Sequence, residues 1–361
     1  QLARFAVLLK AAEFYPEILN ATDSNPLVLP HIYSFPENTI NYIFTPEAIS
    51  VVRLKEYLDY TIAEDVVEKW MEDFVDEDTG QVVSIEKKNT IVEKFTTITD
   101  EVIKNLNSNN ITSVIIRTYK AISEFIQTSD YKIIKEIANA LSLLQQGKNI
   151  GAALKLKIAP QTYDIVENQF QNWNNKQRQG KLDFLQTDLW NNLKPFLEVL
   201  LVMTKKYTAV VANPPYMGQK SMNAELKDYV NDFYPETKSD LMTVFMEVIP
   251  NMTLDNSRFA LINLPSWLFL SSFEKLRVSY IEKYHFESLL HMGRGIFGID
   301  FGSVAFTMKK EQKKDAVGNY FRLHERNFQH ILFEDIEKLF LYANGNVNYK
   351  YDFNLYRGDD G

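Results

Sequence analysis

Tyr207-Thr208-Ala209-Val210-Val211-Ala212 runs without a break into Asn213-Pro214-Pro215-Tyr216, and no other stretch limits the fold so tightly. Two consecutive prolines end any strand or helix that reaches them, because each lacks an N–H and has a fixed φ. Pro214 also pushes Asn213 out of the helical region into an extended conformation. The small apolar residues before it have the composition of a strand buried in a parallel sheet. Asn213 is therefore expected at the carboxyl end of such a strand, with its side chain held in one direction.

The flanking pattern gives that strand a sheet. Helix Asp240–Met252, strand Arg258–Leu264, helix Ser272–Tyr284, and strands Phe286–Met292, Gly302–Lys309 and Asn319–His324 follow in order. Helices alternating with apolar strands imply an α/β sheet, here with an antiparallel edge. Ligands of such sheets sit beyond the carboxyl ends of the strands, where the loops Pro30–Glu37 and Pro265-Ser266-Trp267 should meet Asn213. Upstream, Gln1 to about Leu19 reads as a helix and Pro26–Phe35 as a short strand. From Pro46 to Gln145 the pattern is helical: Val67, Trp70, Met71 and Phe74 recur at i, i+3, i+4, i+7. Ile85–Leu106, Ile111–Gln127 and Asp130–Gln146 read as further helices, with a break at Asp76–Gly80. Residues 150–159 (IGAALKLKIA) look strand-like. Pro160–Gly180 and Lys181–Lys206 are again helical, the second interrupted at Pro195, with Trp173, Trp190 and Phe196 as core. The expected organisation is 1–45, the start of the sheet domain; 46–206, a mainly helical insertion; 207–330, the core; and 331–361, a C-terminal segment.

Composition excludes several chemistries. The 361 residues contain no cysteine, so disulfides, thiolate metal sites and cysteine nucleophiles are ruled out. The five histidines show no ligand spacing, and no metal is expected. No run of eighteen apolar residues exists, so no membrane span is expected. A net charge of −8 argues against a chain that coats nucleic acid along its whole surface, though not against a local basic cleft.

An Asn/Asp/Ser-Pro-Pro-aromatic match arises by chance in about one chain in a hundred of this length. Chemistry gives the match a purpose beyond a rigid turn. The lone pair of an exocyclic amine on a nucleobase is delocalised into the ring. Two acceptors set against its two N–H groups, the Asn213 side-chain oxygen and the Pro214 carbonyl, would draw the nitrogen toward a tetrahedral shape and free that pair. The prolines make the acceptors rigid in advance, and Tyr216 offers a π-face to a base taken out of the duplex stack.

This pattern resembles the amino-group DNA methyltransferases that use S-adenosylmethionine. The longer stretch Tyr207–Gly218 with Lys220 and Met222-Asn223 is similar to the PglX-type adenine-specific methyltransferases of BREX phage defence. Ser239–Phe245, Pro265–Arg277, Gln1–Ala12 and Gly302–Lys309 agree with it too. The resemblance implies a partial Rossmann-like class I methyltransferase sheet with a large helical insertion. It implies transfer of a methyl group to adenine N6 in double-stranded DNA, in the cytoplasm, alongside other phage-defence proteins. Carried over, Asn213, Pro214, Pro215 and Tyr216 form the catalytic pocket. Ser34 and Phe35 border the cofactor, and Lys220, Trp267 and Arg294 contact DNA. Asp183-Phe184 resembles an Asp-Phe pair of related enzymes, but it falls in a helical stretch.

The sequence departs from the family where the methyl donor should sit. The glycine-rich turn that cradles the cofactor is missing. Gly293-Arg294-Gly295-Ile296-Phe297-Gly298 has the GxGxxG spacing, yet a strand follows it instead of the helix that phosphate binding requires. A chain that opens in mid-helix without methionine reads as a fragment, so weak or no cofactor binding by this piece alone is expected. Cytosine C5 methylation is excluded by the lack of cysteine. Cytosine N4 methylation survives as an alternative, as does a non-catalytic docking module of a defence complex. Protein-glutamine or RNA methylation shares the pocket logic, but the PglX-like flanks speak against both.

Overall fold

The computed structural model describes residues 2–19, 30–37, 40, 43–75, 81–294, 302–311, 316–324, 332–343 and 350–353. The strands are β1 (Thr45–Ser50), β2 (Thr61–Ile62), β3 (Val66–Val75), β4 (Val82–Val92), β5 (Ser113–Thr118), β6 (Tyr207–Ala212), β7 (Thr253–Asn263), β8 (His285–Arg294), β9 (Gly302–Lys309), β10 (Gly318–Arg322) and β11 (Lys350–Phe353). The helices are α1 (Leu2–Phe14), α2 (Asp100–Ser108), α3 (Lys120–Ile126), α4 (Tyr131–Leu144), α5 (Gly147–Ile150), α6 (Pro160–Arg178), α7 (Phe184–Thr204), α8 (Ala224–Phe233), α9 (Leu241–Met252), α10 (Glu274–Lys283) and α11 (Phe333–Ala343). They fall into two compact units. One comprises Gln1–Glu37, Leu143–Lys157 and Glu198–Gly361; the other comprises Asn38–Ser142 and Ile158–Leu197. Among the described residues no helix is long and apolar enough to cross a membrane.

The first unit carries a six-stranded sheet in the order β11-β10-β8-β9-β7-β6. β6 runs parallel to β7, and β8 runs parallel to β10. β9 lies antiparallel between β7 and β8, inside the sheet, and β11 forms an antiparallel edge beside β10. Gly302 permits that insertion: a Cβ there would come within 3.0 Å of the Pro265 ring and 3.5 Å of the Gly293 carbonyl oxygen. One face of the sheet packs Phe259, Leu261, Phe286, Phe306 and Met308 against Met246 and Ile249 of α9 and Leu276 and Tyr280 of α10. The other face packs Met292, Phe321 and Leu323 against Ile336 of α11. Each fully buried side chain of this kind contributes about 1.5–3 kcal/mol. Pro250 near the end of α9 withholds the N–H that the Met246 carbonyl would otherwise accept; the Tyr280 hydroxyl donates to that carbonyl instead.

β6 corrects one expectation. Its small apolar residues suggest a buried strand, but it is an edge strand, and Val211 is 79% exposed. Pro30–Phe35 forms no strand either; Pro30 cannot donate to a ladder, and residues 26–29 lie outside the described ones. Residues 154–159 are irregular as well: the Lys155 N–H donates to the Tyr229 hydroxyl at 2.8 Å, not to a neighbouring strand.

The second unit carries β-strands among its helices. Val67, Trp70, Met71 and Phe74 lie on β3, which pairs antiparallel with β4 and sets Trp70 opposite Lys87 and Phe74 opposite Val83. The i, i+3, i+4, i+7 spacing was coincidental. Val66, Val67, Val75, Val82, Val83, Ile85, Thr90, Ile91 and Val92 are β-branched and favour the extended chain. For the same reason Ile111–Gln127 splits into β5 and α3, and Ile85–Leu106 into β4 and α2, whose first turn Thr99 caps by accepting from Val102 N at 3.3 Å. β5 is the central strand of a β1-β5-β2 antiparallel sheet over Leu54, Ile62, Leu106 and Ile116. The break expected at 76–80 lies outside the described residues. α7 continues through Pro195 without interruption. Trp173, Trp190 and Phe196 are buried; Trp173 Nε1 donates to the Phe125 carbonyl at 3.1 Å and Trp190 Nε1 to Gln177 Oε1 at 3.0 Å. Asp183 caps α7, accepting from Gln186 N at 2.8 Å while its own N–H donates to Gln186 Oε1. This reciprocal capping box accounts for the Asp-Phe pair, and Phe184 is exposed.

Candidate active site

Asn213 follows the last residue of β6 and is exposed, while Pro214 is buried beneath it. The Tyr216 hydroxyl reaches across to β7 and donates to the Ile262 carbonyl at 3.1 Å. Asn213 Oδ1 lies 3.4 Å from the same hydroxyl. A hydroxyl has one proton, and the nearer carbonyl is its better acceptor. Asn213 Oδ1 thus keeps acceptor capacity facing outward, and the Tyr216 ring is pinned by its far end. Burial pushes the Tyr216 phenol above its ordinary range, so it stays protonated and able to donate.

The chain leaving this turn is tied down by Asp240. Its carboxylate accepts from Met217 N at 3.2 Å and from Met242 N at 2.9 Å, so one side chain both fixes the turn and caps α9. Leu241 N donates to the Met217 carbonyl at 2.9 Å, and Gln219 N to the Ser239 carbonyl at 3.1 Å. Burial raises the Asp240 carboxyl, and the two N–H donors oppose that shift. The sequence carried the signal, a Ser-Asp pair ahead of an apolar helix, but not the link to residue 217.

The other expected site residues are placed as follows. Lys220 is exposed on the turn Gln219–Ser221. Trp267 is 1% exposed, stacked near-parallel on Phe286 at 6.4 Å and against Phe306 at 5.1 Å. It is core, and the expectation that it touches DNA is corrected. An indole after a Pro-Ser turn looks exposed in sequence, but Arg277 Nη1 donates to the Trp267 and Leu270 carbonyls at 2.8 and 2.6 Å and folds the loop inward. Phe35 packs its ring against Gly147, where a Cβ would clash with it. Tyr33 is near enough to Tyr207, at the amino end of β6, to raise its phenol after burial has done so. Arg294 ends β8, and β9 starts at Gly302. The GxGxxG spacing thus spans a connection between strands, with 295–301 outside the described residues.

Two features were missed in the sequence. Asn263 ends β7 and is fully buried, with neither carboxamide atom hydrogen-bonded; Trp267 Nε1 and Ser303 Oγ are likewise buried without partners. An asparagine closing the apolar run Phe259–Ile262 was the available signal. The second is a cavity of about 410 Å³ at the carboxyl ends of β7, β8 and β10, lined by Pro265, Phe269, His291, Gly293, Arg294, Gly302, Arg322 and His324. The His291 and His324 rings are 4.4 Å apart. Burial, then His324 and Arg322, bring His291 down to about 4. Its Nδ1 accepts the Gly293 N–H at 3.4 Å, as a neutral ring can.

The family model described as Eco57I restriction-modification methylase matches residues 37–297. The chain belongs to that family. It is 31% identical over 211 residues to the adenine-specific methyltransferase BrxX of Escherichia coli O9:H4 (strain HS), covering 56% of this chain and 17% of that protein. It is 35% identical over 181 residues to the adenine-specific methyltransferase PglX of Lacticaseibacillus casei (strain Zhang), covering 48% of this chain and 15% of that protein. The chain thus spans less than a fifth of the length of these relatives. Among solved structures, a modification subunit of a putative type I restriction enzyme from Vibrio vulnificus YJ016 is 9% identical, with 96% of this chain and 84% of that one covered and a TM-score of 0.33. That likeness is too slight to bear on the site.

Proposed function

We propose that this chain forms the target-base part of a DNA methyltransferase that modifies adenine at N6, with S-adenosylmethionine as methyl donor. The observation that carries this reading is the Asn213–Tyr216 turn at the carboxyl end of β6, pinned through Ile262 and Asp240, in a chain whose relatives are adenine-specific methyltransferases. In this reading Asn213 Oδ1 and the Pro214 carbonyl accept the two amine protons of a flipped adenine, and the anchored Tyr216 ring packs on its face. The DNA partner and a cytoplasmic setting follow from the same reading.

The described residues do not fit a complete cofactor site. They contain no glycine-rich strand-to-helix turn, the GxGxxG spacing lies between two strands, and β6 stands at the sheet edge. In this reading the residues present bind, orient and polarise the amine.

Asn213→Ala in the full-length parent should lower adenine methylation about 10²–10³-fold, as for loss of one preorganised polar contact at a reacting group. Modified-base analysis of the parent's DNA distinguishes N6-methyladenine from N4-methylcytosine. Methylation undiminished by Asn213→Ala, with phage defence lost, would favour the docking-module reading.

A further inference from the structure

We propose that the cavity between the ends of β7, β8 and β10 is a phosphate grip: Arg294 and Arg322 hold a backbone phosphate of the DNA strand beside the target adenine. The inference rests on the methyltransferase reading above and adds a second contact point to it. β6, β7, β8 and β10 run parallel, so the cavity opens on the same edge of the sheet as Asn213. Three strand spacings, about 14 Å, separate β8 from β6. That is a distance one strand of nucleic acid covers within a few nucleotides.

The lining has the chemistry for a nucleotide's anionic part. It supplies two guanidinium groups, which match phosphate through bidentate donors, and two imidazoles. Among the described residues that line it there is no carboxylate. Burial first, then His324 and Arg322, act to keep a proton off His291. Apolar walls from Pro265 and Phe269, the latter 59% exposed, would flank the sugar or a neighbouring base. A volume of about 410 Å³ suits a nucleotide-sized group.

The test uses the full-length parent and duplexes in which single phosphates around the target adenine are replaced by neutral methylphosphonates. In the wild type, neutralising one phosphate within a few nucleotides of the adenine should weaken binding about tenfold or more. Arg322→Gln and Arg294→Gln should bind the unmodified duplex about that much more weakly and be indifferent to that one replacement. Their dependence of log K on log salt should be shallower by about 0.9. The scan is read as binding and not as methylation, which separates this proposal from the adenine-pocket reading: absence of N6-methyladenine from the wild-type product fails the latter, whereas a phosphate scan flat in the wild type fails only the grip. Equal loss at the same phosphate in wild type and variants also overturns it. Thermal unfolding of each variant confirms that a changed scan is read from folded protein.

Discussion

Asp240→Ala tests whether the Asn-Pro-Pro-Tyr turn is held in place by a residue that never meets the base. The carboxylate makes two hydrogen bonds, to Met217 N at 3.2 Å and to Met242 N at 2.9 Å. Loss of the helix cap costs about 1 kcal/mol. Loss of the charge-assisted bond to Met217 costs about 1.5–3 kcal/mol. Burial of the carboxylate, which raises its pKa, offsets part of this because the alanine variant no longer desolvates a charge. The net expectation is about 2–3 kcal/mol of stability, measured by urea unfolding. Activity should fall by more than stability alone dictates, because the turn from Asn213 to Met217 loses its clamp and small misplacement of an acceptor pair is costly. Asp240→Asn retains an acceptor oxygen and should recover most of both losses. Methylation of duplex DNA by the parent enzyme, followed under conditions where each variant is folded, reads the second effect. Asp240→Ala with wild-type activity, or Asp240→Asn as inactive as Asp240→Ala, would refute the clamp.

Two further predictions rest on named contacts. Folding favours the neutral form of His291, held at about 4 against an ordinary 6.5, so its contribution is complete above pH 6.5 and drains away as pH falls from there through 4. Direct conversion of the shift gives about 3 kcal/mol; the ring is partly open to solvent, and screening reduces this to about 1–2 kcal/mol. Urea unfolding at pH 7 and pH 4.5 should show the wild type losing that much more than His291→Gln, and parallel profiles would dismiss the assignment. Tyr216→Phe removes the bond to the Ile262 carbonyl and should cost about 0.5–1.5 kcal/mol of stability while keeping the ring. Its methylation rate should stay within about tenfold of wild type, whereas Tyr216→Ala, losing base stacking of about 1–3 kcal/mol, should fall further; equal damage by the two would count against a stacking role.

What the sequence determined by itself was local. Asn213-Pro214-Pro215-Tyr216 stops a strand because proline cannot continue one, and that holds whatever packs around it. The alternation after it appeared where expected: α9, β7, α10, β8, β9 and β10 lie within a few residues of the periods read from the chain, because each carries an apolar stripe or run that packs in a core on one or both faces of the sheet. Helical spacing failed at Val67–Phe74, where β-branched neighbours and a matching partner strand outweighed a coincidental period. Long-range placement was decided only by the tertiary structure. Val211 looks buried by composition, but whether a strand is central or at an edge depends on which strands flank it. Trp267 and Arg294 were indistinguishable as contact candidates; packing sent the indole into the core and left the guanidinium on a cavity wall. The cavity joins the ends of three strands, with lining residues drawn from positions 265 to 324. No spacing rule links them, because it is the interior position of β9 and the parallel run of β8 and β10 that bring them to one edge.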